Sequence, residues 1–369
     1  MNHDAPRGAD QVFETIAVPR LAGSAAVARV EDLIIQELDA LGFETARMPF
    51  TTSARRLHAI NIATTACGWI ALGVVPLFAL AIPGWITTSI GVSALGLAFV
   101  VPWGIAEGWL PSNTDRVEAR NITGRRSGQV RCWLVAHSDS KAQRKSLAGR
   151  VVATLCLFGG ALGLSALLAV RLLTPISPLA VMPAVGLMVL GSALLSGPPL
   201  EGESAGAVDN ASGVLAVLSA AQRLEHRKDV GVLVTGAEEF GMEGARAWAA
   251  GETEGEFFVN FDGLDNRGKF NVMTHRSRGG RAQTSKIRHA VQEALGRRGD
   301  VRRSSLPLGI FVDGSVLAKA GLSGVTVSRG DWETLSVVHT PRDARQRTDP
   351  SAATCAGEAV ADAVNALLG

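Results

Sequence analysis

Val232-Leu233-Val234-Thr235-Gly236-Ala237-Glu238-Glu239 is a short apolar, β-branched run that ends in two adjacent carboxylates. Bounded by Gly231 and Gly236, the stretch Gly231–Thr235 predicts a strand buried on both faces, as in sheets with helices on each side. Working outward, Phe43–Phe50, Val117–Ile122, Val130–Ala136, Phe257–Phe261 and Gly324–Ser328 read as further strands. Helical spacing marks Arg20–Leu41, through Val27, Val30, Leu33, Ile34, Leu38 and Leu41, with a stop at Gly42. Gly213–Leu224 and segments near 281–296 and 351–368 follow the same period. The alternation predicts an α/β fold: a three-layer α/β/α sandwich around a mixed, mostly parallel sheet, without internal repeats.

Part of the chain does not belong in water. No charged residue occurs between His58 and Glu107, and the uncharged stretches Val151–Val170 and Leu172–Leu200 are separated only by Arg171. At about 20 apolar residues per crossing, these runs predict two inserted transmembrane hairpins, the first broken at Pro83-Gly84. The competing reading, buried helices of a soluble core, is disfavoured by the tandem lengths. The expected organisation is therefore one catalytic domain in three pieces, 1–58, 107–150 and 200–369, with hairpins at 59–106 and 151–199. Met1–Asp10 is polar and lacks the tripartite pattern of a cleaved signal peptide. Arg55 and Arg56 precede the first crossing and Lys141, Arg144, Lys145 and Arg150 the third, so the positive-inside rule puts all three polar pieces in the cytoplasm. The four cysteines, Cys67, Cys132, Cys156 and Cys355, show neither CxxC spacing nor a disulfide pattern.

An even number of crossings leaves the polar pieces on one face of the bilayer, where their ionisable residues can meet. His137-Ser138-Asp139 follows the strand ending at Ala136, Glu238-Glu239 follows Thr235, and Asp262 follows Phe261. Ligands in open α/β sheets collect beyond the carboxyl ends of the strands, so these residues share a destination with Asp209-Asn210 and His339. Carboxylates and imidazoles shared by two divalent ions turn water into a nucleophile at neutral pH, and the set reads as a two-metal hydrolase site. Glu239 then suits a metal and its neighbour Glu238 a proton, while Asp139 is placed to hold the second nitrogen of His137. Asp209, just before the helix at Gly213, also suits a plain N-cap.

The constellation resembles the co-catalytic di-zinc aminopeptidases, the family of bacterial leucyl aminopeptidase, aminopeptidase Y and the glutamate carboxypeptidase type. The resemblance rests on His137-Ser138-Asp139, Asp209-Asn210-Ala211-Ser212-Gly213, Glu238-Glu239-Phe240-Gly241, Asn260-Phe261-Asp262 and His339-Thr340-Pro341-Arg342-Asp343, with Pro19-Arg20-Leu21-Ala22-Gly23-Ser24 near the start. It implies two Zn2+ ions bridged by Asp209, one completed by His137 and Asp262, the other by Glu239 and His339, with Glu238 as general base. Asp139 and Asp343 would support the ligands, and Asp313 matches a recurring family position without a derivable role. The chain has no tyrosine and Val338 precedes His339, so oxyanion stabilisation falls on metals and backbone amides.

The resemblance implies a membrane-anchored zinc exopeptidase acting on peptide or amide substrates. Two alternatives remain open: a non-catalytic membrane scaffold, and an amidase or deacylase of N-acyl or lipid-linked amino acids or a glutaminyl cyclase. A net charge of +2 and the lack of interleaved aromatics in the basic stretch His275–Arg303 argue against nucleic-acid binding. That stretch reads as a solvated helix face and loop, with contact to an anionic leaflet as the alternative.

Overall fold

Among the described residues eight strands make one sheet: β1 (Glu44–Thr52), β2 (Val117–Arg125), β3 (Cys132–His137), β4 (Val230–Thr235), β5 (Phe257–Leu264), β6 (Lys269–Thr274), β7 (Val301–Ser304) and β8 (Ser323–Gly330). Their spatial order is β1-β2-β4-β3-β5-β8-β6-β7. The central strands β4, β3, β5 and β8 run parallel, β1 and β2 add an antiparallel margin, and β6 pairs antiparallel with β8 and parallel with β7. The computed structural model describes residues 6–80, 82–107, 116–251, 254–275, 280–304, 306 and 310–369. The expectations on the first five residues, and on Arg276 and Arg278, lie outside these.

The described helices are α1 (Ala9–Ile16), α2 (Ala25–Ala40), α3 (Arg55–Ala79), α4 (Gly84–Glu107), α5 (Leu147–Arg171), α6 (Pro178–Leu195), α7 (Ser212–Arg223), α8 (Glu243–Ala249), α9 (Arg281–Gly296), α10 (Asp313–Lys319), α11 (Trp332–Val337) and α12 (Ser351–Leu368). Leu134, Ala136, Val232 and Val234 face a core shared with α1, α2, α7, α9 and α12. Their neighbours Trp133, Val135 and Leu233 face the other way, onto Trp248 of α8 and Leu317 and Ala318 of α10. Burial on both faces explains why these strands read as unbroken apolar runs.

Four short helices and two strands have no counterpart in the sequence expectations. α1, α8, α10 and α11 are too short for a helical period to show, and β7 is a polar edge strand whose central arginines are exposed. α2 begins at Ala25, later than Arg20, because Ser24 caps it by accepting from the Val27 N–H at 3.2 Å. Gly23 holds φ +80° against Val117, where a Cβ would come within 2.2 Å of the valine methyl. On the inner side of α2, Glu31 is 3% exposed and pairs with Arg120 at 3.0 Å. Burial, partly offset by Arg120, raises its pKa from 4.5 to about 7. The folded state thus binds this proton more tightly than the unfolded chain, so the contribution is full below about pH 4.5 and lost by about pH 7. Glu31→Gln is expected to flatten that decline, about 1.4 kcal/mol per pKa unit, in unfolding curves taken across this pH window.

α3, α4, α5 and α6 form a second body. Each is long and apolar enough to cross a bilayer, yet only 22–33% of each most apolar window is buried. A soluble core helix would hide those residues; here Ile62, Trp69, Leu162 and Leu179 point outward at 69–80% exposure. The helices meet through small residues, Gly160 against the Ala184 carbonyl and Gly191 against the Ala153 carbonyl, the close approach typical of packing in lipid. α3 and α4 are separated at the expected Pro83-Gly84, and the second hairpin turns between Arg171 and Pro178, where Ser177 caps α6 and Pro178 takes its first turn.

Every connection between the two bodies lies at one margin of the sheet. Thr52 of β1 pairs with Val117 of β2, Ile122 of β2 lies opposite Val234 of β4, and Thr235 pairs with His137 of β3. The first hairpin therefore leaves after Thr52 and returns before Val117 at the margin where β3 and β4 end. The second leaves after His137 and is stitched closed there, with Gln143 Nε2 donating to Pro199 O at 2.8 Å and Glu201 N to Ala142 O at 3.0 Å.

Candidate metal centre

His137 is the last residue of β3, and Asp262 lies where β5 shifts register against β8 between Phe261 and Leu264. Glu238 and Glu239 form a tight turn after β4, entered through Ala237 at φ 53°. Asp209 sits in an irregular turn, Ala207–Ala211, with a cis peptide to Asn210, and His339 follows α11 at φ 64°. The five candidate ligands, drawn from separate loops, converge. His137 Nε2 lies 3.1 Å from Asp209 Oδ1, and His339 Nε2 lies 3.0 Å from Asp209 Oδ2 and 3.3 Å from Glu239 Oε1.

Two groups result, His137–Asp209–Asp262 and Asp209–Glu239–His339, each with ligand atoms within 4.8 Å of one another. Asp209 belongs to both and turns one oxygen to each imidazole. Zinc bonds of about 2.0–2.2 Å in tetrahedral array hold donors about 3.3–3.5 Å apart, so these separations suit a zinc ion. Glu239 Oε1 is buried and accepts no hydrogen bond, a lone pair that a cation would satisfy. The residues present fit zinc.

Supporting contacts hold the ligands. Asp343 accepts the N–H of Val208 at 2.7 Å and of Asp209 at 3.1 Å, which secures the Asp209 turn. The carboxylate of Asp139 lies 3.6 Å from His137 Nδ1 and instead accepts the N–H of Glu238 at 3.0 Å and of Glu239 at 3.2 Å. The Asp139 carbonyl, 3.1 Å from His137 Nδ1, accepts a hydrogen bond from that nitrogen and so turns Nε2 toward the ligand cluster. Sequence spacing put the right residue beside His137 but not the right oxygen. The capping work open to Asp209 belongs to Asn210, whose Oδ1 accepts Gly213 N at 3.0 Å and whose Nδ2 donates to Phe261 O at 2.9 Å. Asp313 is buried and accepts the Thr235 hydroxyl.

The adjacent carboxylates are pushed in opposite directions. Burial pushes the Glu238 carboxyl well above the usual range, aided by Glu239 and opposed by His137. Burial acts on Glu239 too, but Lys141 and His339 overcome it and hold its pKa at about 2.

Two cations were not anticipated in the site. Lys141, counted from sequence among the basic residues flanking a membrane helix, is 8% exposed with Nζ 2.5 Å from Glu239 Oε2. Its place two residues beyond Asp139, on the loop leaving β3, was the available signal. A cation on Glu239 competes electrostatically with zinc at that ligand. Lys141→Met is therefore expected to lower the Tm of the metal-free protein, by stranding a buried carboxylate, and to enlarge the Tm rise on zinc addition, read by thermal unfolding at fixed zinc.

Arg20 lies wholly buried under the site. Its Nε donates to Ser138 O at 2.7 Å, Nη1 to Val18 O at 3.1 Å and to Ala205 O, and Nη2 to Gly206 O at 3.1 Å. Burial lowers its pKa to about 10, although Asp139, Asp343, Asp209 and Glu239 favour the charge. One guanidinium thus ties the N-terminal segment to both the His137 and Asp209 loops. Arg20→Met should cost about 3–5 kcal/mol, since it leaves several buried carbonyls unpaired, as measured by denaturant unfolding.

Residues 184–364 match the model of Peptidase family M28. This span contains Asp209, Glu238, Glu239, Asp262 and His339 and begins after His137. No curated protein matches the chain. Among solved structures, a zinc aminopeptidase from Bacillus subtilis is similar at TM-score 0.56 and 14% identity, over 99% of this chain and 96% of that one. A leucine aminopeptidase precursor from Bacteroides thetaiotaomicron matches at TM-score 0.56 and 12% identity, covering 98% of each chain. A Tannerella forsythia glutaminyl cyclase does so at TM-score 0.56 and 15% identity, over 97% of this chain and 98% of that one. At such identities these likenesses speak for the fold, and the family rests on the matched segment: residues 184–364, just under half of the chain, match peptidase family M28, which supports a co-catalytic zinc exopeptidase fold and a metallopeptidase.

Proposed function

We propose that the protein is a membrane-anchored zinc exopeptidase of aminopeptidase type. The observation that carries this reading is Asp209, whose two oxygens face His137 and His339 from the centre of two overlapping ligand sets. In this reading Asp209 would be shared by two zinc ions, one of which His137 and Asp262 would hold and the other Glu239 and His339. Zinc bound there would supply Lewis acidity, lowering the pKa of water and polarising the scissile carbonyl.

The chain's own residues supply the rest. Glu238 takes a proton from the attacking water as the carbon–oxygen bond forms, then gives it to the departing amine as the carbon–nitrogen bond breaks. Its backbone N–H, tied to Asp139, aims the side chain; Asp343 and the Asp139 carbonyl orient Asp209 and His137. With no tyrosine in the chain, no phenol assists the carbonyl oxygen.

The domain organisation is part of the proposal. β1 comes from piece 1–58, β2 and β3 from 107–150, and β4 to β8 from 200–369, so hairpins 59–106 and 151–199 interrupt one catalytic domain. Apolar residues facing outward from α3 to α6 support membrane anchoring, and the basic residues near their catalytic-domain ends support a cytoplasmic site.

The purified protein, assayed with zinc against aminoacyl, N-acyl and N-terminal glutaminyl substrates, tests the reading. Aminoacyl hydrolysis that chelation abolishes and zinc restores is expected. Cyclisation of glutaminyl peptides alone would favour the cyclase alternative, and zinc binding with no turnover of any substrate would favour the scaffold.

A further inference from the structure

We propose that this metal centre draws its substrate from the membrane surface: a peptide or aminoacyl amide carried on a hydrocarbon anchor, its scissile bond at headgroup level. The inference rests on the exopeptidase reading above and deepens it. It comes from where the membrane helices attach.

The loop that carries His339 is bonded directly to the start of a membrane helix. Gln143 N donates to His339 O at 2.8 Å, and Leu147 N, at the first residue of the α5 span, donates to Val338 O at 3.3 Å. Ser146 caps α5 between them, accepting from Gly149 N at 3.3 Å. On the other side, Ala237 and Phe240, which bracket the two glutamates, pack with Ala54, Leu57 and Leu200. Leu57 is the first residue of the α3 span. The candidate ligands are therefore flanked on two sides by the points where helices enter the bilayer.

The depth of that entry can be read from the tryptophans. Trp85 lies at the far end of α4, beside the Arg171 turn, and Trp103 near its catalytic-domain end; both are exposed. At about 1.5 Å per residue they stand about 27 Å apart, close to the roughly 30 Å hydrocarbon thickness that interfacial aromatics bracket. One interface thus runs at the level of Trp103, at the margin of the sheet where the metal ligands gather.

Two exposed aromatics also lie outside the bundle, next in sequence to residues of the site. Phe311, 60% exposed, is two residues from Asp313, and Trp332, 57% exposed, opens α11, which packs on α5 and leads to His339. Large exposed aromatic rings beside a polar centre suit the headgroup region better than water. An amphipathic amide can lay its tail among the lipids and present its amino terminus to the ligands. A free soluble peptide gains nothing from this placement.

The test uses the full-length, zinc-loaded protein in phosphatidylcholine mixed micelles and three matched probes: an aminoacyl butylamide, the same aminoacyl tetradecylamide, and an N-tetradecanoyl amino acid amide. The tetradecylamide is expected to show kcat/KM roughly 100-fold or more above the butylamide, and its rate should fall with surface dilution at constant bulk concentration. Equal turnover of the two alkylamides, or indifference to surface dilution, would overturn the inference and leave the exopeptidase reading intact. Hydrolysis confined to the N-acyl probe, sensitive to surface dilution, would uphold the membrane-surface inference and sink the aminopeptidase reading. A second readout is independent of activity: a fluorophore on Phe311→Cys in lipid nanodiscs should be quenched by headgroup nitroxide lipids. Quenching by an aqueous agent only would overturn the placement.

Discussion

Glu238→Gln is expected to bind zinc like the native protein and to lose turnover by about 10²–10⁴-fold, the span that general acid–base groups contribute. The carboxamide matches the carboxylate in shape, and the contact that orients the turn is made by the Glu238 backbone N–H to Asp139. Position is thus preserved while the proton acceptor is removed. The ligand atoms of Asp209, Glu239 and His339 are untouched, so metal content should not move. Metal analysis paired with kcat is the check; an active, fully metallated variant would take Glu238 out of the role.

The second large effect concerns the shared ligand. Asp209→Ala should empty both ligand groups, because each depends on one oxygen of that carboxylate, whereas His339→Ala should remove a single equivalent. Activity should fall in both, below detection for Asp209→Ala. Elemental analysis after dialysis distinguishes them: two full equivalents in His339→Ala would contradict the assignment, and one retained equivalent in Asp209→Ala would show that the groups do not share it.

Much of the architecture was legible because burial on two faces leaves a strong mark. The runs at Val130–Ala136, Gly231–Thr235 and Phe257–Phe261 are short and mainly apolar, and each becomes a central parallel strand within three residues of its expected bounds. The four apolar helices were legible for the opposite reason: residues 59–106, 151–170 and 172–200 carry no charge, runs long enough for helices of bilayer-crossing length. β7 escaped because an exposed edge strand of mostly polar residues carries no period, and α8 and α10 because seven residues complete only about two turns. The ligand candidates could be named from residue type and strand-end position. Their partners could not, since Arg20 meets the Ser138 and Gly206 carbonyls across long sequence separations. Lys141 shows the limit most clearly: a lysine near a membrane helix is ordinarily a flanking charge, and only the fold turns it inward onto Glu239.

The strand order has a consequence for how the molecule is made. β2 and β3 are consecutive in the chain but not neighbours, and the slot between them is filled by β4, which the ribosome delivers only after α5 and α6. Both hydrophobic hairpins are therefore synthesised while the sheet still has a gap at its centre, and His339 emerges later still. On the membrane-anchored reading proposed above, integration into lipid would precede closure of the sheet, and the nascent chain would be tethered at the bilayer before it could cleave anything.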